Sequence, residues 1–143
     1  MNLPIDKQTV LITGGGRGLG AEIAKSFHRE GAKVIINYRK SLESAQKLSD
    51  SLGENVILIK GDIREKDQVS KMYEELKSQK IQVNTLIHNA INDFSFNGDE
   101  RKKIDNIEWI DFQNQIETTQ KGFLNLINIF TPYMKNNSFG RIV

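Results

Sequence analysis

The sequence contains no cysteine, so disulfides and thiolate chemistry are both excluded. It contains no apolar run near the roughly 18–20 residues that span a bilayer. Its start, MNLPIDKQTVLITGGG, lacks a basic stretch followed by an apolar one, so no signal peptide is expected and a cytoplasmic location is the default. An excess of one charge is missing as well. Twenty basic and 18 acidic residues leave a net charge of +2, too little to create a general field for nucleic acid or membrane. Internal repeats, low-complexity tracts and linkers are also lacking. What remains is a chain of 143 residues, 38% apolar and 27% charged, long enough for one globular domain spanning 1–143.

Short β-branched runs alternate with amphipathic segments. The runs are Gln8–Ile12, Lys33–Ile36, Val56–Ile59 and Val83–Ile87, and Gly140–Val143 begins a fifth. Between them, Leu19, Ile23, Ala24 and Phe27 recur at helical spacing, with Gly31 as the stop. Ser41 can cap a second helix with the stripe Leu42, Ala45, Leu48 and Leu52, closed by Gly53. Val69, Met72, Tyr73 and Leu76 mark a third. A long helix is expected from about Asp111 to Asn136, with Ile116, Phe123, Leu126, Ile127, Phe130 and Met134 available for burial and a kink at Pro132. Trp109 and Phe112 read as core or helix-entry residues. The polar stretch Ile91–Glu108, with Gly98 and the charges Asp99–Lys103, exceeds an ordinary connection and predicts a lid, an extra helix or a loop. Continuously apolar strands alternating with helices imply a doubly wound parallel α/β sheet with the first strand near its middle.

The most informative segment is Thr13–Gly14–Gly15–Gly16–Arg17–Gly18–Leu19–Gly20, between the first strand and the first helix. Glycines there permit positive φ and let a pyrophosphate approach the backbone, and the helix N-terminus offers N–H groups and partial positive charge. Gly20 allows close packing of helix on strand. Gly14, Gly18 and Gly20 make G-x-x-x-G-x-G, while Gly16, Gly18 and Ala21 also fit G-x-G-x-x-A. No Gly-Lys-Ser/Thr follows, which argues against a P-loop NTPase. A methyltransferase reading would want an acid ending the second strand, and Asn37–Tyr38 is not one.

TGGGRGLG resembles the T-G-x-x-x-G-x-G motif of the short-chain dehydrogenase/reductase family. The resemblance continues at Gly61–Asp62–Ile63, at His88–Asn89–Ala90–Ile91 (N-N-A-G in the family) and at Asn136–Val143. Within the family the sequence is most similar to bacterial 3-oxoacyl-[acyl-carrier-protein] reductases of fatty acid synthesis. The likeness implies a five-stranded Rossmann sheet lacking the C-terminal part of the family fold, and an NADP(H)-dependent carbonyl reductase/alcohol dehydrogenase of which this chain supplies the cofactor half. It further implies a small-molecule or acyl-carrier-bound carbonyl substrate and a homo-oligomer in the full-length form. The alternative is a catalytically inactive nucleotide-binding module or truncated gene product.

An acid at the end of the second strand would bind the ribose 2′-hydroxyl of NAD, and a base there accommodates the 2′-phosphate of NADP. Here Asn37–Tyr38–Arg39–Lys40–Ser41 has no acid before Glu43, and Arg17 could reach the same phosphate. NADP(H) is therefore expected. By resemblance, Asp62 would accept from the adenine amino group, Ile63 would pack on the ring, Asn89 with Ala90 and Ile91 would hold the ribose side, and Thr13 would tie the first strand to the fourth. His88 departs from the family and reads as a hydrogen-bonded structural residue; His28 reads as surface. The family's catalytic Ser and Tyr-x-x-x-Lys would lie beyond Val143, so this chain alone is expected to be inactive. Tyr73 and Lys77 share that spacing but sit on a core stripe, and Thr119 stands where the family has a catalytic Asn. No metal ligand set is apparent. Ile91–Glu108 would border the substrate.

Overall fold

Val10, Leu11 and Ile12 are wholly buried, as are Val34, Ile35 and Ile36. Strands apolar on both faces need cover on both faces, which a parallel sheet with crossover helices provides. The structure, a computed structural model, describes residues 3–92 and 102–143. The strands are β1 (Thr9–Ile12), β2 (Lys33–Tyr38), β3 (Val56–Lys60), β4 (Thr85–Ile87) and β5 (Arg141–Ile142). The helices are α1 (Gly18–Arg29), α2 (Leu42–Leu52), α3 (Lys66–Ser78), α4 (Trp109–Ile116) and α5 (Gly122–Asn136). All pairings are parallel, in the order β3-β2-β1-β4-β5. The chain thus reverses direction across the sheet between β1 and β4, where open α/β sheets place ligands.

Alternation along the strands builds two cores. Val10, Ile12, Val34 and Ile36 pack with Ala21 and Ala24 of α1 and Ala45 and Leu48 of α2. Leu11, Ile35, Ile59 and Leu86 pack on the other face with Val69, Met72 and Leu76 of α3 and Leu126, Phe130 and Met134 of α5. Leu19 and Leu42, expected on apolar stripes, are exposed instead; both lie in the first turn of their helices, before the helix has come down onto the sheet. Ser41 holds the N-cap position of α2, but among the described residues its hydroxyl makes no cap bond.

Trp109 opens α4 and is 67% exposed, and Phe112 is exposed too, so neither belongs to the core. The long helix is not one α-helix. Glu117–Lys121 forms a π-helical turn between α4 and α5. A π turn adds a residue and rotates everything before it relative to everything after it. Ile116 is thereby carried off the face that buries Leu126, Phe130 and Met134, and stays partly exposed. α5 runs on through Pro132. Of the expected lid, Gly98 and Asp99–Glu100–Arg101 lie outside the described residues. What is described of it is a 3-10 turn at Ile104–Asn106 and a capping box, in which Asp111 accepts from the Glu108 N–H at 2.9 Å while Lys102 bridges both carboxylates.

Three helices end alike. After α1, Gly31 (φ 87°) donates to His28 and Ala32 donates to Phe27. Lys80 (φ 58°) and Ser138 (φ 54°) repeat that geometry after α3 and α5, without the glycine that the left-handed region favours. Lys80→Gly should therefore raise the urea midpoint, by an amount equivalent to about 1 kcal/mol or less, since relief of left-handed strain outweighs the added freedom of the unfolded chain.

Candidate functional site

The turn after β1 is pinned from both neighbouring strands. The buried Thr13 hydroxyl accepts from the N–H groups of Asn89 and Ala90, each at 3.0 Å, and faces the Ile87 carbonyl at 3.4 Å. The Asn89 side-chain amide donates to the carbonyls of Thr13 (3.0 Å) and Gly14 (3.3 Å). From the β2 side, the Asn37 carbonyl accepts from the Gly15 N–H at 3.2 Å. Gly14 and Gly18 take φ of 62° and 55°. A Cβ on Gly20 would stand 2.5 Å from the Gly14 carbonyl oxygen and 2.6 Å from the Asn89 amide nitrogen. Only glycine lets α1 begin this close to the turn, and the first N–H groups of α1 have no partner within the helix.

These constraints leave a cleft of about 570 Å³ at the carboxyl ends of β1, β2, β3 and β4. From the turn, Gly14, Gly16, Arg17, Gly18, Leu19 and Gly20 line it. Asn37, Tyr38, Arg39, Lys40 and Ser41 come from the end of β2, Asp62 and Ile63 from after β3, and Asn89, Ala90 and Ile91 from after β4. Every expected binding residue therefore borders one cavity, except Thr13. Thr13 lies behind the wall with its hydroxyl committed to β4. Asn37 turns its amide into the protein, donating to the carbonyls of Gly61 (3.1 Å) and Ile59 (3.4 Å).

Three further residues reach the cleft: Gly61, Asn92 and Thr118. Thr118 was hidden in the sequence by the π turn. Uninterrupted helical phase would turn a different residue inward, and nothing in Glu117–Lys121 announces the extra one. Thr119, at the position matching the family's Asn, does not line the cleft. Its hydroxyl donates to the Gln115 carbonyl at 2.8 Å, and its own carbonyl bonds His88 Nε2 at 2.9 Å. His88 rests against the Phe123 ring at 5.4 Å between centroids. Burial holds its imidazole below the ordinary 6.5, against the opposing Thr119 bond.

Charge concentrates on one wall. The Asp62 carboxylate takes Arg64 Nε at 3.0 and 3.2 Å and Nη2 at 2.6 Å, with Arg39 Nη1 at 3.8 Å. The Arg64 side chain, foremost, keeps the Asp62 carboxyl below its usual range. Tyr73 and Lys77 lie elsewhere: Tyr73 meets Phe130 edge-on at 5.6 Å, and the Lys77 ammonium sits 5.8 Å from the Tyr73 ring centroid. Among the described residues no group of three or more His, Cys, Asp or Glu is placed to hold a metal, and no helix is long and apolar enough to cross a membrane.

The short chain dehydrogenase family model matches residues 8–143. The chain belongs to this family. Versicolorin reductase 1 of Dothistroma septosporum is 36% identical over 92 residues, covering 62% of this chain and 35% of that protein. The NADP-dependent 3-hydroxy acid dehydrogenase YdfG of Salmonella typhi is 30% identical over 134 residues, covering 94% and 52%. Among solved structures, the 3-ketoacyl-(acyl-carrier-protein) reductase of Brucella melitensis complexed with NADH superposes with a TM-score of 0.80 at 26% identity, covering 93% of this chain and 52% of that one. The chain thus spans from about a third to about half of the length of these family members. The doubly wound fold and its oxidoreductase membership are shared across that span.

Two outcomes follow. Gly20→Ala should cost about 1–3 kcal/mol of stability in a denaturant melt, because the clash is with backbone and cannot be relieved by a side-chain rotation. His88 binds its proton less readily folded than unfolded, so its contribution to stability is complete above pH 6.5 and declines as pH falls through the folded-state value. Melts at pH 7.5 and 5.5 should differ less for His88→Asn, whose amide does not titrate, than for the native chain.

Proposed function

We propose that the cleft binds NADP(H), and that the chain is the cofactor half of an NADP(H)-dependent carbonyl reductase/alcohol dehydrogenase acting on 3-oxoacyl thioesters or related carbonyls. The observation that carries this reading is the run Arg39–Lys40–Ser41 at the cleft end of β2, with no acid before Glu43. The cavity fits such a dinucleotide. Its turn has two left-handed glycines, a helix start, and a cradle that a Cβ on Gly20 would fill. The Salmonella enzyme is NADP-dependent and the Brucella reductase is complexed with NADH, so membership alone does not choose.

In this reading the backbone of Gly14, Gly16, Gly18, Leu19 and Gly20 faces the pyrophosphate. Arg17, Arg39, Lys40 and Ser41 surround the 2′-phosphate with charge-assisted donors. Tyr38 closes that side, with Asn37 behind it. Asp62 and Ile63 face the adenine, and Asn89, Ala90 and Ile91 the ribose next to the nicotinamide. Thr13 acts through the turn it anchors. The bound dinucleotide supplies or accepts a hydride. The cytoplasm is the proposed location. A homo-oligomer would cover Trp109, Phe112 and Leu124, which are exposed on α4 and α5.

A second reading is a nucleotide-binding module without catalysis. Thr119 favours it: the residue matching the family's Asn has no side-chain amide and gives both its polar groups to internal bonds. NADPH oxidation by the full-length form in the presence of a 3-oxoacyl thioester, measured against a cofactor-only control, separates the two. For the cofactor, titrations should show NADPH binding more tightly than NADH, and equal affinities or tighter NADH would overturn the assignment. Arg39→Ala should weaken NADPH by about 1–3 kcal/mol and leave NADH nearly unchanged.

A further inference from the structure

His88 and Thr13 meet where β1 and β4 part. The Thr119 carbonyl can only accept, so the His88 hydrogen sits on Nε2, 2.9 Å from it, and Nδ1 of the neutral ring is bare. Nδ1 faces the Thr13 hydroxyl oxygen at 3.5 Å. A hydroxyl has one hydrogen and two lone pairs. Both lone pairs of this one are taken, by the N–H groups of Asn89 and Ala90. Its hydrogen has two acceptors in reach, the Ile87 carbonyl at 3.4 Å and Nδ1. The arrangement is therefore complete only while Nδ1 carries no hydrogen. A proton there would aim an N–H at an oxygen with no lone pair to give. That N–H would either go without a partner in a half-buried place or displace one of the two amides that fix the turn.

We propose that His88 is a positioning residue for the cofactor turn: with Nδ1 bare it leaves the Thr13 clasp intact, and a proton on Nδ1 opens that clasp and weakens dinucleotide binding. The inference rests on the NADP(H) reading above. The path from ring to ligand is short. Asn89 bonds the Thr13 hydroxyl through its N–H and holds the Thr13 and Gly14 carbonyls through its side-chain amide. Gly14, Asn89 and Ala90 line the cleft and His88 does not, so a dinucleotide would touch the clasp and leave the ring alone. The charges on the elements around the ring are Glu117 and Lys121 of the π turn, Lys135 of α5 and Arg141 of β5. Among the described residues none of these sets the His88 proton, which answers to burial first and to the Thr119 bond second. Glu117 lies instead beside Arg64. Coupling between two binding events is reciprocal, so a proton that weakens the dinucleotide is itself weakened by it. Burial keeps the folded-state value below 6.5, so dinucleotide binding is at full strength above pH 6.5 and falls as pH drops through that value.

The direct test follows the His88 imidazole by NMR in the full-length form with labelled histidine, first free and then saturated with NADP+. Its signal is the one missing from His88→Asn. Saturation should lower the proton affinity of His88 by about fivefold or more, the low end of coupling between linked sites. His28, which bonds the Glu54 carbonyl and does not line the cleft, should stay within about twofold of its free value. The phosphates of the dinucleotide act in the opposite direction, since negative charge draws a proton to an imidazole. A fall in proton affinity therefore does not come from their charge. The reciprocal measurement is the NADP+ dissociation constant at pH 7.5 and 5.0. The 2′-phosphate titrates in that range too, but equally for native and variant. Between those two pH values the native protein should lose affinity by about twofold or more beyond the loss in His88→Asn. His88→Gln replaces His88→Asn in both measurements should the latter fold poorly. An unchanged or raised His88 proton affinity on saturation overturns the inference and leaves the NADP(H) reading standing. So does an equal loss of affinity in native and variant. Failure of the native protein to bind NADP+ at pH 7.5 removes the NADP(H) reading and this inference with it.

Discussion

The Thr13 hydroxyl is the point on which the cleft depends. It sits fully buried where β1 and β4 part, and it takes two N–H groups from the chain leaving β4. Without that hydroxyl, two partly buried amides at the cleft edge would lose their partner, at up to about 1–3 kcal/mol each. The Asn89 amide returns the favour by holding the carbonyls at the start of the glycine turn. The two residues form a reciprocal clasp across the switch point of the sheet. The turn can therefore hold left-handed glycines in one conformation rather than sampling several. The position of α1, and through it the whole phosphate-facing side of the cavity, follows from that clasp.

Much of this could be read from residue order alone, because the rules involved are local. Val10–Ile12 and Val34–Ile36 are apolar on both faces, which demands a covered parallel sheet. Gly14, Gly18 and Gly20 mark backbone that other residues cannot copy. Arg39 to Ser41 follow a strand end directly, so their place at the cleft needed no long-range information. What stayed hidden depends on spatial neighbours or on helical phase. Arg64 carries no signal of its own in the sequence, and its grip on Asp62 emerges only in the fold. Leu19 and Leu42 fit an apolar period, yet the period does not say where a helix first meets the sheet. Asn37 reads as a ligand contact by position, and its amide turns into the protein instead; Thr13 reads as a tie between the first and fourth strands, and it is one.

His88 shows the two kinds of information meeting. A polar residue in place of asparagine was legible as a structural hydrogen-bonding group, and it is one. Its partner was not legible, because the Thr119 carbonyl faces it from a helix 31 residues further on. The bond joins the end of β4 to the π turn, so the floor of the cleft and its far wall are tied together. Burial disfavours the charged imidazole, whose Nε2–H makes this bond, and the Phe123 ring packs beside it.

The π turn itself acts as a phase shifter. Thr118 borders the cleft and Ile116 remains wet because five residues, Glu117–Lys121, span a turn that an α-helix would close with fewer. Deleting any one of them would bring the two halves of the helix back into register. Ile116 would swing toward the Leu126 face and Thr118 would leave the cavity. The single extra residue is thus a trade made along the helix axis, in which α4 gives up a buried isoleucine so that a hydroxyl-bearing side chain can stand at the ligand wall.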